Sequence, residues 1–162
     1  MTPERQKFLD DLALLLVDGS PHAVALGFKV DKVGEGDATM RLPYQEALVG
    51  DPETGVIHGG AVTALLDHVC GLAAFTGFGG EDTPATLDLR IDYMRPAEPG
   101  KDIIAEAVSL RSHGLVCFVR ATAHDGDDGD PVAIAQAAFM ITNASKAAQD
   151  RARKVIEDGG QL

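Results

Sequence analysis

The sequence is poor in the residues that mark several classes of protein. Its 162 residues include two cysteines and no tryptophan, and 14 Lys and Arg stand against 25 Asp and Glu, for a net charge of -11. Two cysteines are too few for the disulfide framework of a small secreted domain, and we expect Cys70 and Cys117, each in an apolar segment, to be reduced core residues. An acidic chain is repelled by the phosphate backbone, so nucleic acid is not an expected partner.

Long apolar runs are also missing. No uninterrupted run reaches the roughly 18 residues that a membrane span needs, so we expect no membrane association. The first 19 residues carry charges among apolar residues at helical spacing, which predicts an amphipathic helix and not a signal peptide. A cytoplasmic location is therefore expected. The apolar residues of this predicted helix are Phe8, Leu9, Leu12, Leu15 and Leu16.

The length suits one domain with a core of its own. We predict an N-terminal helix over residues 1–19, a main domain over residues 20–142 and a charged C-terminal tail over residues 143–162. Ser20 and Pro21 predict the N-cap and first position of a short helical turn.

The main domain combines one long helix with several strands. Two strands are predicted around the turn at Gly34–Gly36, a helix over about 60–76, and then at least four strands joined by short turns, which favours an antiparallel sheet. An apolar helix must be covered on nearly every side. We therefore predict an α+β fold in which a curved antiparallel sheet wraps around the long central helix.

The first strand after the helix alternates between apolar and polar residues, which predicts one buried and one exposed face. The predicted buried face comprises Leu87, Leu89, Ile91 and Tyr93, and the predicted exposed face comprises Thr86, Asp88, Arg90 and Asp92.

The long helix carries two features that suggest chemistry. Its first N–H groups, at Gly59 and Gly60, lie at the positive end of the helix dipole and could hold a carbonyl oxygen that gains charge; the alternative is a tight turn that needs glycine. Asp67 stands among Leu65, Leu66 and other apolar residues, where a carboxylate is costly unless it is paired or functional. It is a candidate base, or else a structural carboxylate.

The spacing of Gly59 and Asp67 has a geometric consequence. At about 1.5 Å per residue, their eight-residue separation places them about 12 Å apart along the helix axis. A carbonyl held by the N–H of Gly59 cannot then lie beside Asp67 of the same chain. We expect a two-fold dimer with antiparallel helices, in which each site takes Gly59 from one subunit and Asp67 from the other.

Other candidate chemistry is weaker. His58 either hydrogen-bonds the turn or contacts substrate, and His68 faces about 100° away from Asp67, which disfavours a dyad within one chain. The histidines lack metal-ligand spacing, and no cofactor is expected. The segment "HDGDDGD" resembles a calcium loop, but Gly129 and Gln136 replace required ligands, so we predict a hairpin turn. No nucleophile-elbow or phosphate-loop motif is present.

The motif G-x-x-H-G-G at residues 55–60, Asp67 on the following helix, and "TLDLRIDYMRPAEPG" downstream together resemble the hotdog-fold acyl-CoA thioesterases. The most similar branch includes the phenylacetate-degradation thioesterase, and the resemblance covers about residues 20–142. It implies that Gly59 offers its N–H to the thioester oxygen, that Asp67 acts as general base or nucleophile, and that Thr86 places the water or the carboxylate. It also implies that coenzyme A binds with its phosphates near basic residues at the subunit boundary.

Residues 90–120 carry a slight excess of basic side chains, which fits a small phosphorylated ligand; the alternative is a solvated sheet face. We expect a homodimer, assembled further as a dimer of dimers into a homotetramer, with acyl-CoA as substrate. Alongside His58 in the catalytic set, the residues expected to contact substrate are Gly60, His68, Arg90, Arg95, Ser112, His113 and Gly114.

Two other functions remain open at this point. Related enzymes usually carry an Asn or Gln shortly before the His-Gly-Gly, where this chain has Asp51, Pro52 and Glu53. That departure favours a non-catalytic module that binds acyl-CoA, whereas Asp67 favours an enzyme. A hotdog-fold dehydratase needs a His and an acid facing one substrate carbon, and "DPETGVIH" does not reproduce the motif of such enzymes.

Overall fold

The computed structural model describes residues 1–80 and 83–141, so the predicted tail over residues 143–162 lies outside the described residues. Three helices and eight strands are present in the described ranges, with a short 3-10 helix at Glu46–Leu48. They are α1 (Pro3–Asp18), α2 (Pro21–Leu26), β1 (Lys29–Val33), β2 (Asp37–Leu42), β3 (Val49–Asp51), β4 (Val56–Ile57), α3 (Gly59–Gly77), β5 (Pro84–Tyr93), β6 (Ile103–His113), β7 (Val116–His124) and β8 (Ala133–Ile141).

Six strands form one antiparallel sheet in the order β1-β2-β6-β7-β8-β5, and α3 packs against five of them. Small alanine side chains on the inner face of β7 and β8, such as Ala121 and Ala135, are buried and let the helix lie close to the sheet. On α3 itself, Leu65, Leu66 and Val69 are fully buried. The predicted antiparallel sheet around a long central helix is confirmed.

α3 has the length and composition of a membrane span, although the sequence contains no uninterrupted apolar run of about 18 residues. It has 19 residues and a mean hydropathy of 1.3 in its most apolar window, of which 61% is buried inside the protein. The apolar character of α3 is therefore explained by its burial against the sheet inside the protein.

α1 forms as predicted, but a different set of residues faces the core. Thr2 caps its first turn by accepting from the N–H of Arg5 at 3.2 Å. Leu9, Ala13 and Val17, spaced four residues apart, are buried, whereas Phe8 is 44% exposed. The predicted apolar face included Phe8 and omitted Ala13 and Val17, because apolar character alone does not fix which side of a helix meets the core.

α2 begins where the sequence predicts. The hydroxyl of Ser20 accepts from the N–H of Ala23, and Pro21 is the first helical residue. Gly27 ends the helix with φ of 73°, a left-handed conformation that glycine adopts without strain.

β5 departs from the predicted regular alternation at a β-bulge. Thr86 pairs with Phe139 and Asp88 pairs with Ala138, so Leu87 is an extra residue on β5. An extra residue reverses the alternation of side chains on the two sides of the bulge. Leu87 is consequently 53% exposed, contrary to its predicted place on the buried face.

The same bulge moves Thr86 to the helix-facing side of the sheet, where Leu89 and Ile91 also pack against the core. Thr86 is exposed, as predicted, but its hydroxyl reaches α3, so the predicted face that it shares with Asp88 is interrupted at the bulge. Tyr93 ends the strand and is half exposed, so the predicted buried face is continuous only over its middle part.

Both cysteines are free and fully buried, as predicted. Burial raises the pKa of the Cys70 thiol to about 12, and the nearby charge of Asp67 acts in the same direction. At neutral pH the thiol is therefore protonated and unreactive.

Candidate active site

The N-cap of α3 determines which backbone N–H groups at the start of the helix have an acceptor. His58 is the N-cap, and its Nδ1 accepts from the N–H of Gly60 at 2.9 Å, while its carbonyl accepts from Ala61 at 2.9 Å. Within the described ranges, the N–H of Gly59 has no hydrogen-bond acceptor. His58 makes the predicted hydrogen bond to the turn, and its contact with substrate stays a prediction.

The two glycines of the His-Gly-Gly motif serve different purposes. A Cβ at Gly60 would lie 2.8 Å from Nδ1 of His58, so a side chain there would displace the capping imidazole. A Cβ at Gly59 would lie 3.5 Å from the Tyr93 hydroxyl oxygen, which is ordinary van der Waals contact. The packing of the turn explains why residue 60 is glycine. It does not require glycine at residue 59, where the absence of a side chain leaves the backbone N–H accessible to a ligand.

Two hydroxyls fix the peptide that follows this N–H. Tyr93 donates to the carbonyl oxygen of Gly59 at 2.7 Å, and Thr63 donates to the same oxygen at 3.1 Å. The two hydroxyl oxygens lie 2.8 Å apart. Sequence reasoning missed both residues; the only signal was a tyrosine at the end of an amphipathic strand, where a hydroxyl can leave the apolar face.

Asp67 lies in the middle of α3, half-buried, and its Oδ1 accepts from the Thr86 hydroxyl at 2.9 Å. The bulge at Leu87 is what turns Thr86 toward the helix. Asp67 and Thr86 share a cavity of about 180 Å³ that opens at the exposed Thr86 side chain. Its lining is completed by Leu16, Val17, His68, Gly71, Leu72, Phe75, Thr83, Pro84 and Phe139.

His68 lines the same cavity as Asp67. Its ring meets Phe28 edge-on, with centroids 5.8 Å apart. Burial lowers the pKa of His68, the charge of Asp67 partly opposes this, and His22 lowers the pKa further. The imidazole is therefore neutral at pH 7, a form that can donate or accept a hydrogen bond at the cavity wall.

Gly59 and Asp67 open into different cavities of one chain. A cavity of about 390 Å³ contains Gly59 and Tyr93, and another of about 410 Å³ contains His58 and Gly60. Neither contains Asp67. This separation agrees with the axial distance expected from the sequence and leaves the oxyanion donor and the carboxylate apart within a single chain.

The two basic residues expected to contact substrate are engaged in ion pairs. Arg90 is exposed and pairs with Asp92 at 3.0 Å. Arg95 donates through both Nη atoms to the buried Asp125, at 2.8 and 2.7 Å, and its Nε lies 2.8 Å from Asp130. Arg95 therefore holds the predicted hairpin turn between β7 and β8, and its contact with coenzyme A stays a prediction.

This ion pair shifts the pKa of both its members. The guanidinium of Arg95 and the N–H of Glu98, which donates at 2.7 Å, hold the pKa of Asp125 well below its usual range. The same hydrogen bond raises the pKa of Arg95.

Ser112 and His113 end β6, and Gly114 begins the turn to β7; all three are exposed. The turn is at the sheet end where Pro84 pairs with Ile141, because the N–H of Ile141 also donates to Leu115. It thus shares one end of the sheet with the Asp67 cavity, two strands away, and its contact with substrate stays a prediction.

The loop before the His-Gly-Gly motif closes on itself. The carboxylate of Asp51 accepts from the Glu53 N–H at 3.1 Å and from the Thr54 hydroxyl at 2.8 Å, with Pro52 exposed between them. The amide of Gln45, the nearest such group in sequence, donates to the carbonyl of Leu26 at 3.0 Å. In residues 1–80 and 83–141, no group of three or more His, Cys, Asp or Glu side chains could hold a metal ion.

Comparisons with known proteins identify the family of this chain. The family model described as "Thioesterase superfamily" matches residues 54–132, which include both Gly59 and Asp67. A Halobacterium salinarum protein named as a candidate esterase is 32% identical over 143 residues, covering 82% of this chain and 93% of that protein.

Two solved structures extend the likeness to three dimensions. A protein from Pseudomonas aeruginosa is 41% identical with a TM-score of 0.76, covering 83% of this chain and 99% of that one. A variant of the phenylacetic acid degradation protein PaaI from Thermus thermophilus is 28% identical with a TM-score of 0.66, covering 76% of this chain and all of that one (100%). The sheet around its central helix and the matches in sequence and structure show that this chain belongs to the thioesterase superfamily and has the hotdog fold.

Proposed function

We propose that this protein hydrolyses an acyl-CoA thioester to a carboxylic acid and free coenzyme A. The observation that carries the proposal is the pair of groups on α3: the unsatisfied N–H of Gly59, and the carboxylate of Asp67 held by Thr86 beside an apolar cavity. A half-buried carboxylate is costly for stability unless it is paired or functional, and the N–H and the carboxylate suit the polarisation and attack of a carbonyl group.

The chemistry follows from these two groups. The thioester oxygen accepts from the Gly59 N–H, which stabilises the negative charge that develops as the carbonyl carbon is attacked. Asp67 either takes a proton from the attacking water or attacks the carbon itself, forming an anhydride that water then opens. In both routes the C–S bond breaks, the sulfur leaves as the thiolate of coenzyme A, and water supplies the acid's second oxygen.

Both groups meet when two chains pair through β5. In the described ranges β5 pairs with β8 alone and leaves its other edge free. One end of β5 holds Asp67 through Thr86, and the other end holds Gly59 through Tyr93. Antiparallel pairing of two β5 strands about a two-fold axis would bring the Thr86 end of one beside the Tyr93 end of the other.

The free edge also has an apolar surface suited to such pairing. Leu87, Tyr93 and Met94 are each about half exposed along β5 and its end. An exposed edge strand with apolar side chains is a template for association unless it is covered. A further pairing of dimers into a tetramer remains a prediction.

The first test is thiol release from a panel of acyl-CoAs by the native protein and by Asp67→Asn. The amide keeps the size of the carboxylate and removes its charge, so we expect release to fall at least a hundredfold, since a positioned base contributes about 10²–10⁴. Asp128→Asn, in the exposed turn after β7, is the matched control and should keep full activity.

The oxyanion donor is tested by Gly59→Pro against Gly59→Ala. Proline at the first helical position removes the N–H, and His58 before it has ψ of 132°, the extended conformation that a residue before proline prefers. Alanine keeps the N–H and meets Tyr93 at ordinary contact distance. We expect the alanine variant to stay active and the proline variant to lose about 10²–10³ in kcat.

Mixing the two inactive variants tests the shared site. A dimer of one Asp67→Asn chain and one Gly59→Pro chain contains one site with both native groups, so re-association of equal amounts should restore about a quarter of native activity. A protein that is active as a strict monomer, or variants that never complement after subunit exchange, would contradict the two-chain site.

One observation favours a second function, a module that binds acyl-CoA without hydrolysing it. The loop at Asp51–Thr54 offers no amide side chain to hold a water molecule. If native protein binds acyl-CoA but releases no thiol, this second function replaces the first.

A further inference from the structure

Parts of the cavity beside Asp67 come from outside the region that the family model matches, which spans residues 54–132. They are Phe139 of β8 and, at the end of α1, Leu16 and Val17. The N-terminal helix therefore contributes side chains to the cavity as well as to the core.

The cavity lining combines polar and apolar side chains. The polar side chains are those of Asp67, His68, Thr83 and Thr86. The apolar side chains include Leu16 of α1 and Leu72 of α3. An acyl group whose carbonyl lies at Asp67 would therefore meet an apolar wall to which α1 contributes.

The volume within one chain indicates the size of group that the cavity holds. The cavity measures about 180 Å³. An apolar cavity of about 150 Å³ in another protein accommodates benzene, so this one suits a single ring or a short aliphatic chain.

α1 is held firmly in place. Arg5 donates to the carbonyl of Gly79 just after α3, at 2.5 Å, and Gln6 donates to the carbonyl of Val33 in β1, at 2.8 Å. Leu9 and Ala13 are buried in the core. Because the helix is fixed at both its polar and its apolar contacts, it cannot move aside for a longer acyl chain without breaking them.

We infer that Leu16 is a specificity-determining residue that sets the length of acyl group accepted; this inference rests on the proposed thioesterase function. Leu16 is half-buried, packs against the edge of the core and lines the cavity, so a change in its size changes the cavity wall. Val17, which also lines the cavity, is 2% exposed and belongs to the core, so it is the less adaptable of the two.

The test compares kcat/KM for butanoyl-, hexanoyl-, octanoyl-, decanoyl- and phenylacetyl-CoA in three variants. Leu16→Ala enlarges the cavity and should raise the ratio of long-chain to short-chain kcat/KM by roughly tenfold or more, the usual effect of a methylene in an apolar pocket. Leu16→Phe fills the cavity and should lower the same ratio. Leu14→Ala, on the exposed side of α1, is the matched control and should leave the ratio unchanged.

The outcomes separate this inference from the function on which it rests. If native protein hydrolyses none of the thioesters, the proposed function fails. If it hydrolyses them and both Leu16 variants keep the native chain-length profile while remaining folded by circular dichroism, the inference about Leu16 is wrong. Opposite shifts of the profile in Leu16→Ala and Leu16→Phe support it, since loss of stability would move both in one direction.

Discussion

Thr86→Val tests whether the hydrogen bond to Asp67 serves catalysis. Valine has nearly the shape of threonine and lacks the hydroxyl that donates to Oδ1 at 2.9 Å. A hydrogen bond to a charged group contributes about 1.5–3 kcal/mol, and each 1.36 kcal/mol in a barrier is about tenfold in rate. Because Thr86 is exposed and water can replace part of the bond, we expect the lower end, about a tenfold loss of kcat.

The assay is steady-state thiol release, with unfolding by urea measured in parallel. An exposed residue contributes little to stability, so the free energy of unfolding should change by less than about 0.5 kcal/mol. Thr86→Ser restores the hydroxyl and should recover most of the activity. Thr122→Val, a half-buried threonine on β7, is a control for the loss of a strand hydroxyl.

A double variant that combines Thr86→Val with Asp67→Asn shows whether the two residues act together. If Thr86 acts through the carboxylate, the double variant should be no slower than Asp67→Asn alone, because the two losses then describe one interaction. Full kcat in Thr86→Val, or additive losses in the double variant, would refute the reasoning.

Tyr93→Phe removes the donor to the Gly59 carbonyl, a bond worth about 1 kcal/mol, and should lower kcat about fivefold with little change in KM; an unchanged kcat would leave the tyrosine a purely structural role. Asp125→Asn removes the charge of the buried carboxylate that Arg95 holds and should lower the free energy of unfolding at pH 7. Because folding lowers the pKa of Asp125, its stabilisation is present above the unfolded pKa of about 3.9 and is lost as pH falls below it, so denaturation at pH 3 should show a smaller difference between variant and native protein. Cys70 and Cys117 should be unreactive toward a disulfide reagent at pH 8 in native protein and both reactive in denaturant; rapid labelling of native protein would contradict their burial.

The sequence contained most of the fold because its signals are local. The apolar stretch of α3, the cap at Ser20 and the turn at Gly114 each depend on residues within a few positions of one another. Asp67 stood out for the same reason, as a carboxylate among neighbours that would bury it.

What the sequence could not predict depends on partners far along the chain. The extra residue at Leu87 is defined only by the pairing of β5 with β8, about fifty positions later. The bond from Tyr93 to Gly59 joins residues 34 positions apart, and Arg95 meets Asp125 at a separation of 30. The residue pattern within a single segment does not show which distant segment it meets. The direction of the Thr86 side chain and the ion pairing of Arg95 could therefore be seen only in the structure.

The bulge in β5 makes the carboxylate's hydrogen bond depend on the number of residues in a strand as well as on their identity. Deleting Leu87 would restore regular pairing after Thr86 and turn its hydroxyl toward solvent, while every catalytic side chain stayed in the sequence. A relative of this chain that lacks the extra residue could thus keep the motif and the fold and still have lost the contact. When activity is transferred between such relatives, the register of this strand should be compared before the residues themselves.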